Sequence, residues 1–337
     1  MLQGHYQYAP MQGMPQLRRA IAAKVERSYG TQIDPELEIT ITLGATEAIF
    51  SAVQALVGPG DEAIVFDPCY DSYEPAVQLA GAQCIHVPLQ PPDFRYDWDR
   101  IRSALTARTR LLIVNSPLNP GCTCVTEQDM SSLAQLLRNR DIRVISDEVY
   151  EHIVFDGRRH HSVLASPELR ERSVAVYSFG KTLSATGIRV GYAVAPPAIT
   201  TELRKVHQFN TFTIATALQV AIARYLDERP DTGAGLSGFF TAKRDRLVSA
   251  LQGSRLKLTP AQGSFFQLID YGELSQVSDL EFAEELLTRA GVASIPLSVF
   301  YRQPPPMTLL RLCFAKRDET LDKGAARLRE YARGVSR

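Results

Sequence analysis

Residues 173–182 read Ser-Val-Ala-Val-Tyr-Ser-Phe-Gly-Lys-Thr, with Arg189 and Gly191 a short distance beyond. The segment 173–179 is short, rich in valine and tyrosine, and stopped by Gly180, which is the pattern of a buried β-strand. A lysine then stands at the strand's carboxyl end. In an open α/β sheet that edge is where ligands bind, so Lys181 is better placed for chemistry than a lysine on a helix surface. Most lysines after a strand are nevertheless solvated, and the rest of the chain has to raise Lys181 above them.

Upstream the pattern alternates. A helix is expected from near Pro15, a residue favoured at the first helical position, with Leu17, Ile21 and Val25 on one face up to Gly30. Strands are expected over 38–43, 62–66, 83–87, 110–115 and 143–146, separated by helices over 46–57, 73–80, 98–105 and 127–138. This alternation predicts a mostly parallel sheet covered by helices on both faces. After a strand over 189–195 the chain is mostly helical from 196 to 253, with a glycine-rich break over 231–238. Strands over 264–269, 292–295 and 309–314 and a helix over 279–288 then read as a small α+β unit. The expected fold class is α/β, with a large domain over 1–233 and a smaller carboxyl-terminal α+β domain over 234–337.

Lys+Arg and Asp+Glu both number 37 in 337 residues, so neither nucleic acid nor an anionic membrane is expected as a partner. The five cysteines have only one close pair, Cys122 and Cys124, which fits neither a disulfide framework nor a zinc knuckle. The start shows no basic stretch followed by an apolar core, and no run of about 18 apolar residues occurs, so a cytoplasmic protein is expected. His160 and His161 lie in a polar loop without a third ligand and are expected at the surface; His207 reads as structural.

Gly44, Ala45 and Thr46 stand where a strand gives way to a helix, so backbone N–H groups, a hydroxyl and the positive end of the helix dipole meet there. A phosphate suits that corner, although a simple helix cap would look the same. Residues 115–121, Asn-Ser-Pro-Leu-Asn-Pro-Gly, form a stiff turn that presents Asn119. Asp147 follows apolar Val144 and Ile145, where a carboxylate needs a hydrogen-bonding or cationic partner, with Tyr150 close behind. Arg311 sits among Leu310, Leu312, Cys313 and Phe314 and needs an anion, from a structural salt bridge or from a carboxylate ligand in two-point contact. Phosphate corner, amide, carboxylate, tyrosine and lysine all come from strand ends of one sheet and converge on one crevice. Pyridoxal 5′-phosphate asks for this set: a lysine for its aldehyde, N–H donors and a cation for its phosphate, an anion for its ring nitrogen.

The motifs SFGKT and GIRVGY, with NSPLNPG and SDEVYE, make the chain resemble the class I/II aminotransferases of fold type I, which use pyridoxal phosphate, over essentially its whole length. QYAPM, FDPCYDSYEPA, ISDEVYEHI, IPLSVF and LLRLCFAK are similar to bacterial members of the kynurenine aminotransferase branch that act on methionine. The resemblance implies that Lys181 bonds to the cofactor's aldehyde carbon, Asp147 holds the pyridinium, and Asn119 with Tyr150 binds the ring hydroxyl. It implies that Ala45, Thr46, Ser178 and Arg189 grip the phosphate and that Tyr70 stacks on the ring. Tyr8 matches a tyrosine that reaches a phosphate in the partner subunit, which implies a homodimer with shared sites. Arg311, with Asn119, would bind the substrate's α-carboxylate. The implied reaction is ping-pong amino transfer from a large neutral amino acid, methionine first, with aromatic, glutamine or kynurenine-like donors, to a 2-oxo acid.

Relatives carry a segment ahead of the QYAPM stretch that helps close the site; a chain without it is expected to keep cofactor binding better than turnover. A cysteine-conjugate β-lyase reaction is open to the same fold. Ile188 stands where the family often has tryptophan, a packing change. Two other classes fit poorly. Gly180-Lys181-Thr182 matches the end of a P-loop, but the first glycine would fall at Ala175, inside the strand. Residues 58–63, Gly-Pro-Gly-Asp-Glu-Ala, follow a helix and precede a strand, the reverse of a dinucleotide site.

Overall fold

The computed structural model describes residues 4–334. Among these, β1 (Ile39–Thr42), β2 (Glu62–Asp67), β3 (Gln83–Pro88), β4 (Thr109–Asn115), β5 (Arg143–Asp147), β6 (Ser173–Ser178) and β7 (Gly191–Val194) form one sheet. Its order is β1-β7-β6-β5-β4-β2-β3. From β3 to β6 the neighbours run parallel, whereas β7 lies antiparallel between β6 and β1. The carboxyl ends of β4, β5 and β6 therefore open on one edge.

The helices of this part are α1 (Pro15–Tyr29), α2 (Gly44–Leu56), α3 (Tyr73–Leu79), α4 (Trp98–Ala104) and α5 (Glu127–Leu137), then α6 (Pro167–Arg170), α7 (Phe179–Thr182), α8 (Pro197–Asn210) and α9 (Thr216–Glu228). Each central strand is buried on both sides, and alternate residues serve opposite faces. Ile64, Leu112, Val144 and Tyr177 pack with Leu17 and Ile21 of α1 and Leu133 of α5. Val65, Ile113, Ile145 and Val176 pack with Val53 of α2 and Leu203 of α8. Local signals set the helix ends: Gly30 takes φ 68 and returns its N–H to Glu26 O, and Thr126 with Asp129 closes a reciprocal cap on α5.

The smaller domain is built from α10 (Leu236–Leu251), β8 (Phe266–Asp270), α11 (Asp279–Glu285), β9 (Ile295–Pro296), β10 (Leu309–Cys313) and α12 (Asp318–Gly334). Its antiparallel sheet runs β8-β10-β9 over a separate core that includes Phe282, Leu310, Leu312 and Leu328. Four departures from the sequence pattern matter. β7 starts only at Gly191, because Arg189 adopts a left-handed φ of 52. The strand expected over 292–295 shrinks to Ile295–Pro296, and the helix expected over 279–288 passes at Leu286 into a π-helical turn. Helix α12 had no counterpart in the pattern reading, although Leu321, Ala325, Leu328 and Ala332 mark its buried face at helical spacing.

Candidate active site

A cavity of about 590 Å³ opens at the carboxyl edge, between the sheet and the smaller domain. Its lining includes Ala45, Thr46, Tyr70 and Asn119, then Asp147, Tyr150 and Ser178, and finally Lys181, Arg189 and Arg311. Sequence reasoning had named all ten. It had not named Asp71, Phe266, Val299 or Phe300, which also line the cavity.

Lys181 follows β6 on the short turn α7. Its Nζ lies 5.6 Å from the centre of the Tyr150 ring and 5.1 Å from that of Phe265. Burial lowers its pKa from the ordinary lysine value; the charge of Asp147 opposes that shift and Arg189 adds to it. More of the amine is therefore neutral near pH 7, the form a proton acceptor needs.

Asp147 is buried at the end of β5. Tyr73 Oη donates to its Oδ2 at 2.6 Å and the Val149 N–H to its Oδ1 at 3.3 Å. Loss of water outweighs both bonds and pushes the carboxyl up to about 6. No cation pairs with it among the described residues. Tyr73→Phe is expected to raise Asp147 further and to weaken binding of the pyridoxal phosphate expected at this site by about tenfold or more, on the scale of one hydrogen bond to a charged group. An unchanged dissociation constant, read by quenching of protein fluorescence, would count against that support.

The turn that holds Asn119 is built by Asn115. The Asn115 Oδ1 accepts from the Asn119 N–H at 2.8 Å, while its Nδ2 donates to Asp147 O at 2.9 Å. Asn119 Oδ1 in turn accepts from Arg311 Nη1 at 2.7 Å. The Arg311 guanidinium lies 4.1 Å from the Phe266 ring centre and 4.8 Å from that of Phe300. Two aromatic faces and one amide fix its plane. No carboxylate pairs with it among the described residues, and burial lowers its pKa from the ordinary arginine value.

The corner at α2 depends on two glycines. Gly44 has φ +73, and a Cβ there would meet Arg189 Nη2 at 2.7 Å. A Cβ on Gly191 would stand 2.7 Å from Gly44 C and 2.8 Å from Ala45 N, so glycine lets β7 press against the start of α2. Glu47 Oε2 accepts the Leu43 N–H at 3.0 Å, and His207 Nδ1 lies 3.1 Å from Glu47 Oε1, which makes that histidine a structural group.

Two residues stand elsewhere. Tyr8 is 80% exposed, edge-on to Phe212 at 5.4 Å, and is not part of this cavity. His160 is not a surface residue: its side chain is 6% exposed and its Nε2 lies 2.9 Å from Glu148 Oε2. The buried Glu148 carboxylate also takes Tyr177 Oη at 2.8 Å, Ser146 Oγ at 2.8 Å and the Val163 N–H at 3.0 Å, and its need for donors draws the loop inward. Among the described residues no helix is long and apolar enough to cross a membrane, and no cluster of His, Cys, Asp or Glu is placed to hold a metal ion.

Fold and cavity place the chain in the aminotransferase class I and II family, whose model matches residues 2–328. The chain is 52% identical to methionine aminotransferase of Escherichia coli strain K12, over 97% of its own length and 85% of that protein. The crystal structure of YbdL from Escherichia coli, identified as a methionine aminotransferase, superposes with a TM-score of 0.96 at 51% identity, covering 98% of this chain and 87% of that one. Kynurenine–oxoglutarate transaminase 1 of Rattus norvegicus is 32% identical over 96% of this chain and 84% of its own.

Proposed function

We propose that this aminotransferase uses pyridoxal 5′-phosphate to move the amino group of a large neutral amino acid, methionine first, to a 2-oxo acid in ping-pong fashion. The observation that carries the reading is a lysine of lowered basicity sharing one cavity with a buried aspartate that, among the described residues, forms no ion pair. The residues present fit the cofactor. Ala45 and Thr46 at the start of α2, Ser178 and Arg189 offer N–H, hydroxyl and guanidinium donors for the phosphate. Asp147 would face the ring nitrogen, Asn119 and Tyr150 the ring hydroxyl, and Tyr70 the ring face. When bound, pyridoxal phosphate supplies an aldehyde that captures the donor's amine and a protonated ring that accepts the electron pair left at Cα.

The protein's own share follows from its geometry. Arg311, held between Phe266 and Phe300, would grip the α-carboxylate and so orient the Cα–H bond. Lys181 Nζ would take the proton from Cα and return it to the adjoining carbon of the cofactor. Asp147 would hold the ring nitrogen in its protonated form. Tyr70, Ile295, Val299 and Phe300 give the cavity an apolar wall suited to a thioether or an aromatic side chain. The similarity to methionine aminotransferase supports the same donor class.

Arg311→Gln is expected to raise KM for methionine about 100-fold, the size of one two-point charged contact. The central test is the absorption spectrum of the protein with pyridoxal phosphate, before and after methionine. A visible band that bleaches on adding methionine supports amino transfer. A band that no amino acid changes would leave a cofactor-binding homologue without turnover, and pyruvate released from a cysteine conjugate would reveal a β-lyase.

Tyr8 and Phe212 touch yet remain exposed, and Phe209 is exposed as well, which supports a homodimer that covers this apolar surface and shares its sites. Sedimentation at micromolar concentration tests it. The reading places the enzyme in the cytoplasm and divides the chain near residue 233, ahead of α10.

A further inference from the structure

Asp67 closes β2, three residues before Tyr70, and is 2% exposed. Both of its oxygens are engaged. Oδ1 lies 2.9 Å from Nδ1 of His86 on β3, and Oδ2 accepts the Arg302 N–H at 2.8 Å. Close by, the Cys69 N–H donates to Phe300 O at 3.0 Å, and Tyr301 Oη donates to Leu89 O at 3.0 Å. At the other end of the same segment, Asp279 of α11 accepts the Ser298 N–H and Ser298 Oγ, each at 2.7 Å. Residues 298–302 thus form a strap clamped by two buried carboxylates, one from each domain.

The strap carries Val299 and Phe300 into the cavity. Phe300 presents its ring to the Arg311 guanidinium, yet its only regular structure is one 3₁₀ turn, and Val299 is half exposed. So short an element has little rigidity of its own; its position is imposed from outside. Asp67 contributes to that imposition from the large domain, together with the Cys69 N–H and Leu89 O, and does not itself line the cavity.

We infer that Asp67 is a positioning residue that sets how tightly the site holds a substrate carboxylate, by pinning the 298–302 strap so that Phe300 stays on Arg311. The inference rests on the assignment of Arg311 to the α-carboxylate. With the strap released, the guanidinium regains water and alternative rotamers, and binding must order it again. The loss falls on ground-state and transition-state binding alike, which predicts a change in KM with kcat preserved.

The test uses the pyridoxal-phosphate-loaded enzyme and 4-(methylthio)butanoate, which is methionine without its amino group, as a binding probe for calorimetry. Asp67→Ala is expected to weaken the probe and to raise KM for methionine about tenfold each, with kcat within about twofold. Asp67→Asn is expected to recover most of the affinity, since its Oδ1 still accepts the Arg302 N–H. If Asp67→Ala does not yield folded protein, Arg302→Pro removes the same bond from the other side; Tyr301 already has the extended conformation, φ −116 and ψ 144, that a following proline requires. Unchanged probe affinity in the strap variant, or a fall in kcat that matches the fall in kcat/KM, overturns the inference. Arg311→Gln runs in parallel. If it leaves probe affinity intact, the carboxylate assignment fails and the inference with it; if it alone loses affinity, only the strap's role is refuted.

Discussion

Lys181→Ala is expected to lower turnover by about 10⁴-fold, at the upper end of what a positioned proton-transfer group provides. Lys181 is the lysine that lines the cavity, and burial has already weakened its hold on a proton. An alanine there would remove both the amine proposed to bond the cofactor and the group proposed to move the Cα proton. Lys181→Arg is expected to be as inactive, because a guanidinium stays charged near neutral pH and has no lone pair to offer. Single-turnover absorbance with methionine reads the step directly. Retention of even a tenth of the wild-type rate in Lys181→Ala would remove the lysine from the chemistry.

Asp147→Asn is expected to act in two opposite directions. The carboxyl rises from 3.8 to about 6 on folding, driven first by desolvation. A carboxyl shifted upward stabilises the fold only while protonated: its contribution is whole below about pH 4 and is lost as the pH rises through about 6. At pH 8 the cofactor-free protein therefore carries a penalty of up to about 3 kcal/mol, which asparagine avoids while still accepting the Tyr73 hydroxyl. The cofactor-free variant should resist urea better than wild type at pH 8 and equally at pH 4. Its turnover should fall about 10³-fold, because a neutral amide cannot keep a ring nitrogen protonated. A stability difference that does not vary between the two pH values would contradict the buried-charge account. The penalty also explains how the site would favour its cofactor: a pyridinium beside Asp147 supplies the missing cation.

The parts of the site that lie at strand ends were legible in the sequence. Asn119, Asp147, Ser178 and Lys181 each follow a short apolar run with a turn signal, and a parallel sheet brings such ends together without further information. Tyr73 was not legible as a site residue, because only the packing of α3 against α2 and β2 carries its hydroxyl to Asp147 at the end of β5. Phe266 and Phe300 were missed for a similar reason: their contacts with Arg311 run from β8 and from the turn at 298–300 to β10, and only the folding of the smaller domain creates them. His160 was misread because the sequence around it is polar, and the buried carboxylate that claims it, Glu148, lies twelve residues away. Helix α12, by contrast, had a readable signal in Leu321, Ala325, Leu328 and Ala332.

The antiparallel strand β7 has a consequence for how the protein is made. β1 hydrogen-bonds only to β7 in the sheet, so Ile39–Thr42 has no strand partner until Gly191–Val194 has left the ribosome. At typical bacterial or eukaryotic elongation speeds, the intervening stretch of about 150 residues takes roughly 10–30 s to synthesise. Throughout that interval Ile39 and Ile41 lack the strand that pairs with them in the finished sheet. A chaperone that shelters the first 60 or so residues during translation would be expected to raise the yield of folded enzyme more than one supplied after release.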